Sequence, residues 1–257
     1  MTAVRETWIL ARRTVLRFGR SPELVVSSVA FPLLLLVIQL VVFRHLVEEF
    51  AGGNYLDRLT PAVMLATAIF SLPVNAVGFF SDLHDGILSR FRSMSISRGA
   101  FLAGRVLGDT ARIAATAGCV LAVAVPLGFS FTTSLPSVLG FAGVFLSGAL
   151  MFSWLAVFAG ALSSSIEAVH STFGPLVLLA YFWSSGFIPV AAFPGILQPV
   201  VRANPVSAVQ SAMTALSQGG GLMRPVTYAV CSTAGLSLVF ALLARHIFDR
   251  RGRAETP

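Results

Sequence analysis

Six stretches of this chain are apolar over lengths that a bilayer absorbs and a soluble core rarely does. They fall at residues 24–43, 61–80, 113–131, 138–162, 171–189 and 226–244. A helix needs about 20 predominantly apolar residues to cross ~30 Å of hydrocarbon, and all six come close to that or exceed it. None shows the strict alternation of a membrane-barrel strand, so each run reads as a helix. Charge agrees: 11% of the 257 residues are charged and 56% hydrophobic, with a mean hydropathy of +0.83. Soluble domains carry roughly 25% charged residues. The expected fold is all-α and integral to a membrane, with six transmembrane helices in a single domain over residues 1–257.

The basic residues set the expected orientation. All 18 are arginine, and there is no lysine. With both termini cytoplasmic, the inner segments hold Arg5, Arg12, Arg13, Arg17, Arg20, Arg90, Arg92, Arg98, Arg105, Arg245, Arg250, Arg251 and Arg253, while the outer ones hold Arg44, Arg58, Arg202 and Arg224. Excess arginine marks the cytoplasmic side. The net charge of +7 then points to anionic lipid headgroups, with no nucleic-acid partner expected. The absence of lysine excludes a P-loop, whose lysine sits on the nucleotide phosphates, and it fits a GC-rich coding bias such as that of actinobacteria. The first apolar run starts after some twenty polar or amphipathic residues and is long enough to span, which argues against a cleavable signal. Cys119 and Cys231 fall inside the third and sixth runs as apolar filler.

Residues 1–20 read as an amphipathic helix lying on the membrane. Val4, Trp8, Ala11, Val15 and Phe18 share one face at helical spacing, with Arg13, Arg17 and Arg20 opposite, the pattern of an interfacial helix. Ser21-Pro22 starts the first span as a cap and first-turn proline, and Pro32 is expected to kink it. Thr60-Pro61 starts the second by the same logic. Residues 132–137 read as a short outer connection. The small-residue pairs Gly143/Ser147 and Ala156/Gly160 would permit close helix contact. Residues 191–224 are too apolar for an ordinary outer loop and too broken by proline and glycine to span. Within them, 205–218 reads as a capped helix with Asn204 as N-cap and Gly219-Gly220-Gly221 as C-cap, part of a re-entrant or interface-hugging helical hairpin before the last span.

No catalytic or metal-ligating constellation is expected. Asp82, His84 and Asp85 read as a solvated helix terminus, as do Glu167 and His170 in a short inner loop, and the six runs themselves hold no carboxylate near mid-depth. Arg105, Asp109 and Arg112 lie at i, i+4 and i+7 on one helix face, either as arginines snorkelling at the interface or as a headgroup site. The segment 81–105 is a basic cytoplasmic loop. Ile87, Leu88, Phe91 and Met94 form an apolar stripe flanked by Arg90 and Arg92, which either lies on the membrane or docks into a partner's groove.

Two stretches then carry a family resemblance over essentially the whole chain. One runs Asp85-Gly86-Ile87-Leu88-Ser89-Arg90-Phe91-Arg92-Ser93-Met94-Ser95-Ile96-Ser97-Arg98, followed by Gly104-Arg105. The other comprises Ser185-Gly186-Phe187-Ile188-Pro189, Phe193-Pro194-Gly195 and Asn204-Pro205-Val206-Ser207. In this order they resemble the permease subunits of type-2 ABC exporters, and the second is similar to the daunorubicin-resistance branch, which includes drug and lipid exporters. The family commonly has proline where Ser95 stands, so the helix break there is softer.

The resemblance implies a non-catalytic permease of the bacterial cytoplasmic membrane that binds no cofactor itself. A separate ABC-type ATPase would carry ATP and magnesium, and a second permease copy, identical or related, would complete the transporter. Asp85, Gly86, Ile87, Arg90, Phe91 and Met94 would be the coupling helix seated in the ATPase. Ser185, Gly186, Pro189, Pro194, Asn204 and Pro205 would shape an outer gate. Spans one, two and five would line the path, with Phe31, Phe70, Phe79 and Phe182 facing an amphipathic drug, polyketide, lipid or glycolipid. The rival readings are a membrane scaffold or assembly factor binding a cytoplasmic partner, and a secondary transporter.

Overall fold

The computed structural model describes residues 3–51, 54–84, 98–184, 190 and 193–254. Among them are nine helices: α1 (Ala3–Gly19), α2 (Pro22–Ala51), α3 (Leu56–His84), α4 (Arg98–Ala124), α5 (Leu135–Leu162), α6 (Ile166–Phe182), α7 (Gln198–Ala203), α8 (Pro205–Gln218) and α9 (Met223–Ala254). The described residues form no strand. Five helices are long and apolar enough to cross a membrane, over Ser28–His45, Leu56–His84, Gly99–Ala124, Leu135–Leu162 and Met223–Phe248. α6 is apolar but has 17 residues, about 26 Å of rise.

α3 is the centre of the bundle, with α2, α4, α5, α6 and α8 packed around it, and α5 bridges it to α9. Leu59, Val63, Leu65 and Ile69 of α3 are buried with Ile113, Phe145, Phe152 and Met213 in the main core. A second cluster, Phe79, Phe101, Val106, Val157 and Phe248, fills the end of the bundle at which α3 stops and α4 begins. α2 and α9 instead turn Val26, Val41, Leu238 and Leu242 outward, as the apolar flanks of a membrane protein do. Cys119 and Cys231 are free and exposed on this outer surface.

Several boundaries depart from the sequence reading, each for a local reason. The third span runs Gly99–Ala124 and not 113–131, because its charges are paired inside the bundle as described below. Asp109 therefore lies near the middle of a helix of spanning length, which corrects the expectation that the spans hold no carboxylate near mid-depth. α4 stops before Pro126, and Gly128 turns the chain at φ 116°, so the connection to α5 is longer than 132–137. α3 starts at Leu56, whose N–H donates to Asn54 Oδ1 at 3.1 Å; Asn54 is the cap, and Pro61 lies within the helix. α6 starts at Ile166 because Ser165 Oγ accepts from Ala168 N at 3.1 Å, which puts Glu167 and His170 on the helix. α2 does start at Pro22, and it continues through Pro32 to Ala51.

α1 divides its apolar face between the bundle and the outer surface. Ala11 is buried, Thr14 lies against Gly108 of α4, and the Phe18 ring sits 5.5 Å beneath the Arg112 guanidinium. Trp8 and Val15 face outward, with Trp8 67% exposed. The cause is a close approach: any Cβ on Gly108 would sit 2.6 Å from Thr14 Cβ, so the small-residue side of α1, not its bulkiest side, fits α4.

Candidate functional site

Where α3 ends and α4 begins, a charged cluster ties the two helices across the segment between them. Arg105 Nε donates to Asp109 Oδ2 at 2.9 Å, one helical turn along α4. Its Nη1 pairs with Asp82 near the end of α3, and its Nη2 donates to the Asn75 carbonyl at 3.2 Å. Arg112 donates to the Asn75 side-chain oxygen and covers Phe18 of α1. Gly78 makes this possible, because a Cβ there would meet Arg105 Nη2 at 2.5 Å.

Among the described residues the cluster sets Arg105 and Arg112 against Asp82 and Asp109. Asp109 is 2% exposed. Ions this buried persist only when paired and hydrogen-bonded. The expected ladder Arg105–Asp109–Arg112 thus faces α3 and α1 and finds its partners there, rather than snorkelling outward. Asp82 belongs to the same cluster, which corrects its reading as a solvated terminus. His84 Nδ1 lies 2.9 Å from the Phe80 carbonyl, with its ring stacked on Phe80. A clamp of this kind performs no bond chemistry. It ties the last turns of α3 to the first turns of α4.

At the opposite end, Asn204 joins α6 to α8. Its Oδ1 accepts from Val206 N at 2.9 Å, the expected cap, while its Nδ2 donates to the carbonyls of Trp183 at 2.9 Å and Ala180 at 3.3 Å. Pro205 opens α8, and the Pro194 carbonyl accepts from Leu197 N at 2.8 Å in the turn before α7. Thr133 Oγ1 donates to the Leu216 carbonyl at 2.6 Å, and Gln218 Nε2 to the Ser130 carbonyl at 2.9 Å. Gly219 and Gly220 have φ of 86° and 134°, a left-handed region that favours glycine. Val206, Val209, Ala212, Met213 and Leu216 are buried against α3, α5 and α9, so α8 is an inner element and not a surface lid.

Asn204→Ala removes both the cap and the two ties to α6. A lost cap costs about 0.5–2 kcal/mol and each lost hydrogen bond about 0.5–1.5 kcal/mol. We expect a loss of about 2 kcal/mol or more, read as a lower unfolding midpoint in detergent. Asn204→Asp, which keeps only the cap oxygen, should fall between the two. Equal midpoints for all three proteins would show that the junction contributes nothing.

A third feature lies between α2, α3 and α6. Gln39 Nε2 donates to Tyr181 OH at 2.8 Å in the interior. Around it the rings of Phe31 and Phe70 stand 5.0 Å apart, Phe70 and Tyr181 5.1 Å, and Tyr181 and Phe182 5.5 Å. Phe79 is not part of this row; it is fully buried in the second cluster, beside Phe101. Gln39, Tyr181 and Asn75 were not singled out in the sequence, although a lone amide inside an apolar run is itself a signal, since such residues need a partner. Asp85, Gly86, Ile87, Arg90, Phe91 and Met94, and Ser185, Gly186 and Pro189, lie outside the described residues.

An all-helical bundle with five helices of spanning length and an internally paired charge cluster is an integral membrane protein. Residues 5–216 match the family described as ABC-2 type transporter, and the chain belongs to that family. It is 27% identical over 250 residues to the daunorubicin resistance ABC transporter permease protein DrrB1 of Streptomyces coeruleorubidus, covering 97% of this chain and 88% of the relative. It is 26% identical over 245 residues to the probable doxorubicin resistance ABC transporter permease protein DrrC of Mycobacterium tuberculosis, covering 93% and 86%. The chain is the membrane subunit of an ABC-type transporter, of the daunorubicin-resistance-like branch.

Proposed function

We propose that this permease exports an amphipathic drug, polyketide or lipid-like molecule from the cytoplasm or inner leaflet of a bacterial cytoplasmic membrane. Six crossings carry it, α2 to α6 and α9, with both termini cytoplasmic and the α7–α8 hairpin re-entrant from the outside. Two permease chains pair with two separate ATPase subunits, and ATP and magnesium are bound there. The observation that carries this reading is the match along nearly the whole chain to relatives named for drug resistance. The clamp supports the coupling part of it. Residues 85–97 leave α3 and return to α4 between helix ends that Arg105 locks together, so a push on that segment reaches two spans at once. The half-exposed rings of Phe31 and Phe182 suit the path of an amphipathic molecule along α2, α3 and α6.

Affinity purification of the full chain in mild detergent tests the reading. A P-loop ATPase should co-purify in stoichiometric amount. Phe91→Ala and Gly86→Pro should each release it, with at least a tenfold loss of recovered ATPase, while the permease stays inserted. Recovery of the chain without an ATPase, under conditions that preserve a known ABC complex, would favour a scaffold or a secondary transporter.

A further inference from the structure

We infer that the outer face of α1 is a binding site for an anionic phospholipid headgroup, formed by Arg12, Arg13 and Arg20 over an apolar wall of Trp8 and Leu16. These residues, with Ile9 and Ser21, line a groove of about 650 Å³ where α1 meets the start of α2. The opposite face of α1 is already used, by Thr14 against Gly108 and Phe18 under Arg112. The groove face is therefore left to an occupant from outside the chain.

The lining states the occupant's chemistry. Arg12, Arg13 and Arg20 are all exposed, and no carboxylate lines the groove among the described residues. Three guanidinium groups on one side call for an anion with several acceptor oxygens, and arginine matches phosphate with paired donors. Trp8, Ile9 and Leu16 are large and between 42% and 67% exposed, which a free phosphate would not need. An indole at the water–hydrocarbon boundary prefers the headgroup level. A molecule that is anionic at one end and apolar at the other satisfies both sides, and a lipid of the leaflet in which α1 lies is that molecule. Such a lipid would wedge α1 against α4 from behind and so press Phe18 onto the clamp.

The full chain is placed in phosphatidylcholine nanodiscs containing increasing brominated phosphatidylglycerol or, separately, brominated phosphatidylcholine. Bromine quenches nearby indoles, and the difference between wild type and Trp8→Phe isolates the Trp8 signal from Trp154 and Trp183. Half-quenching should need about tenfold less phosphatidylglycerol than phosphatidylcholine, since each arginine near the surface contributes appreciably to anionic-lipid binding. Arg12→Gln with Arg13→Gln and Arg20→Gln should erase the preference, and the corresponding lysine triple should keep it. On the wild type, 0.5 M salt should reduce the preference toward unity, because the contact is screened. Equal quenching by both lipids in the wild type, or a preference that survives the glutamine triple or high salt, overturns the site.

Discussion

Arg105→Ala should lower the stability of this protein by about 3–5 kcal/mol, the usual cost of breaking a buried ion pair by removing one partner. The substitution takes away the guanidinium that Asp82 and Asp109 share, and Arg112 is already engaged by Asn75. Asp109 has almost no access to solvent, so its charge would stand in a low-dielectric interior without its hydrogen-bonded partner. Against a typical total of about 5–15 kcal/mol, that is a large share, and the purified chain should show a markedly lower unfolding midpoint in detergent. Arg105→Lys should lie between, since one ammonium cannot reach Asp82, Asp109 and the Asn75 carbonyl together. Arg105→Met combined with Asp82→Asn and Asp109→Asn removes charge from both sides and should recover much of the loss. If the combined variant is as unstable as Arg105→Ala, uncompensated charge is not the cause. A combined variant that is stable yet inactive in export would separate the mechanical role of the clamp from its structural one.

The same cluster explains what could and could not be read beforehand. Apolar runs located the five helices long and apolar enough to span, and the Asn204-Pro205 cap and glycine stop of α8 were correct because both are local signals. The start of α4 was missed by a whole segment. Arg105, Asp109 and Arg112 read as a helix face at the membrane edge, and α3, which supplies Asp82 and Asn75, makes them tolerable inside the bundle. The packing of α1 was not legible for a similar reason. Its hydrophobic pattern marks an apolar face but not which part of it meets another helix, and Gly108 of α4 receives the side that bears Ala11, Thr14 and Phe18. Tertiary partners, in both cases, decided what a linear pattern left open. The coupling and gate segments around Phe91 and Gly186 lie outside the described residues, so their roles rest on the tests above.

Gly160→Ala should be the most damaging glycine-to-alanine change among the described residues. The added Cβ would sit 2.4 Å from the Ala76 carbonyl oxygen, with Phe79 Cδ1 and Phe80 N each at 3.2 Å. Two of those atoms are backbone, so the obstruction cannot rotate away, and α5 must move off α3. Overpacking of this kind costs about 1–3 kcal/mol or more. It also parts helices whose approach leaves a Cα–H aimed at a carbonyl, a contact worth perhaps ~0.5–1 kcal/mol. Gly143→Ala is the control. The two small-residue pairs look alike in sequence, but nothing lies within 4 Å of a Cβ at Gly143, and Ser147 instead takes a 3.1 Å hydrogen bond from Thr233 of α9. There the methyl should be neutral, or stabilising by up to about 1 kcal/mol through helix propensity. Unfolding midpoints of the two variants in detergent should therefore move apart, and matching shifts would mean that α3 and α5 are not in contact at Gly160. The consequence for transport follows from position. Asn75 to Phe80 is the stretch of α3 that Arg105 and Arg112 grip from the α4 side, so a wedge from the α5 side shifts the clamp itself. Export by Gly160→Ala should fall further than its surface level does, whereas Gly143→Ala should export normally.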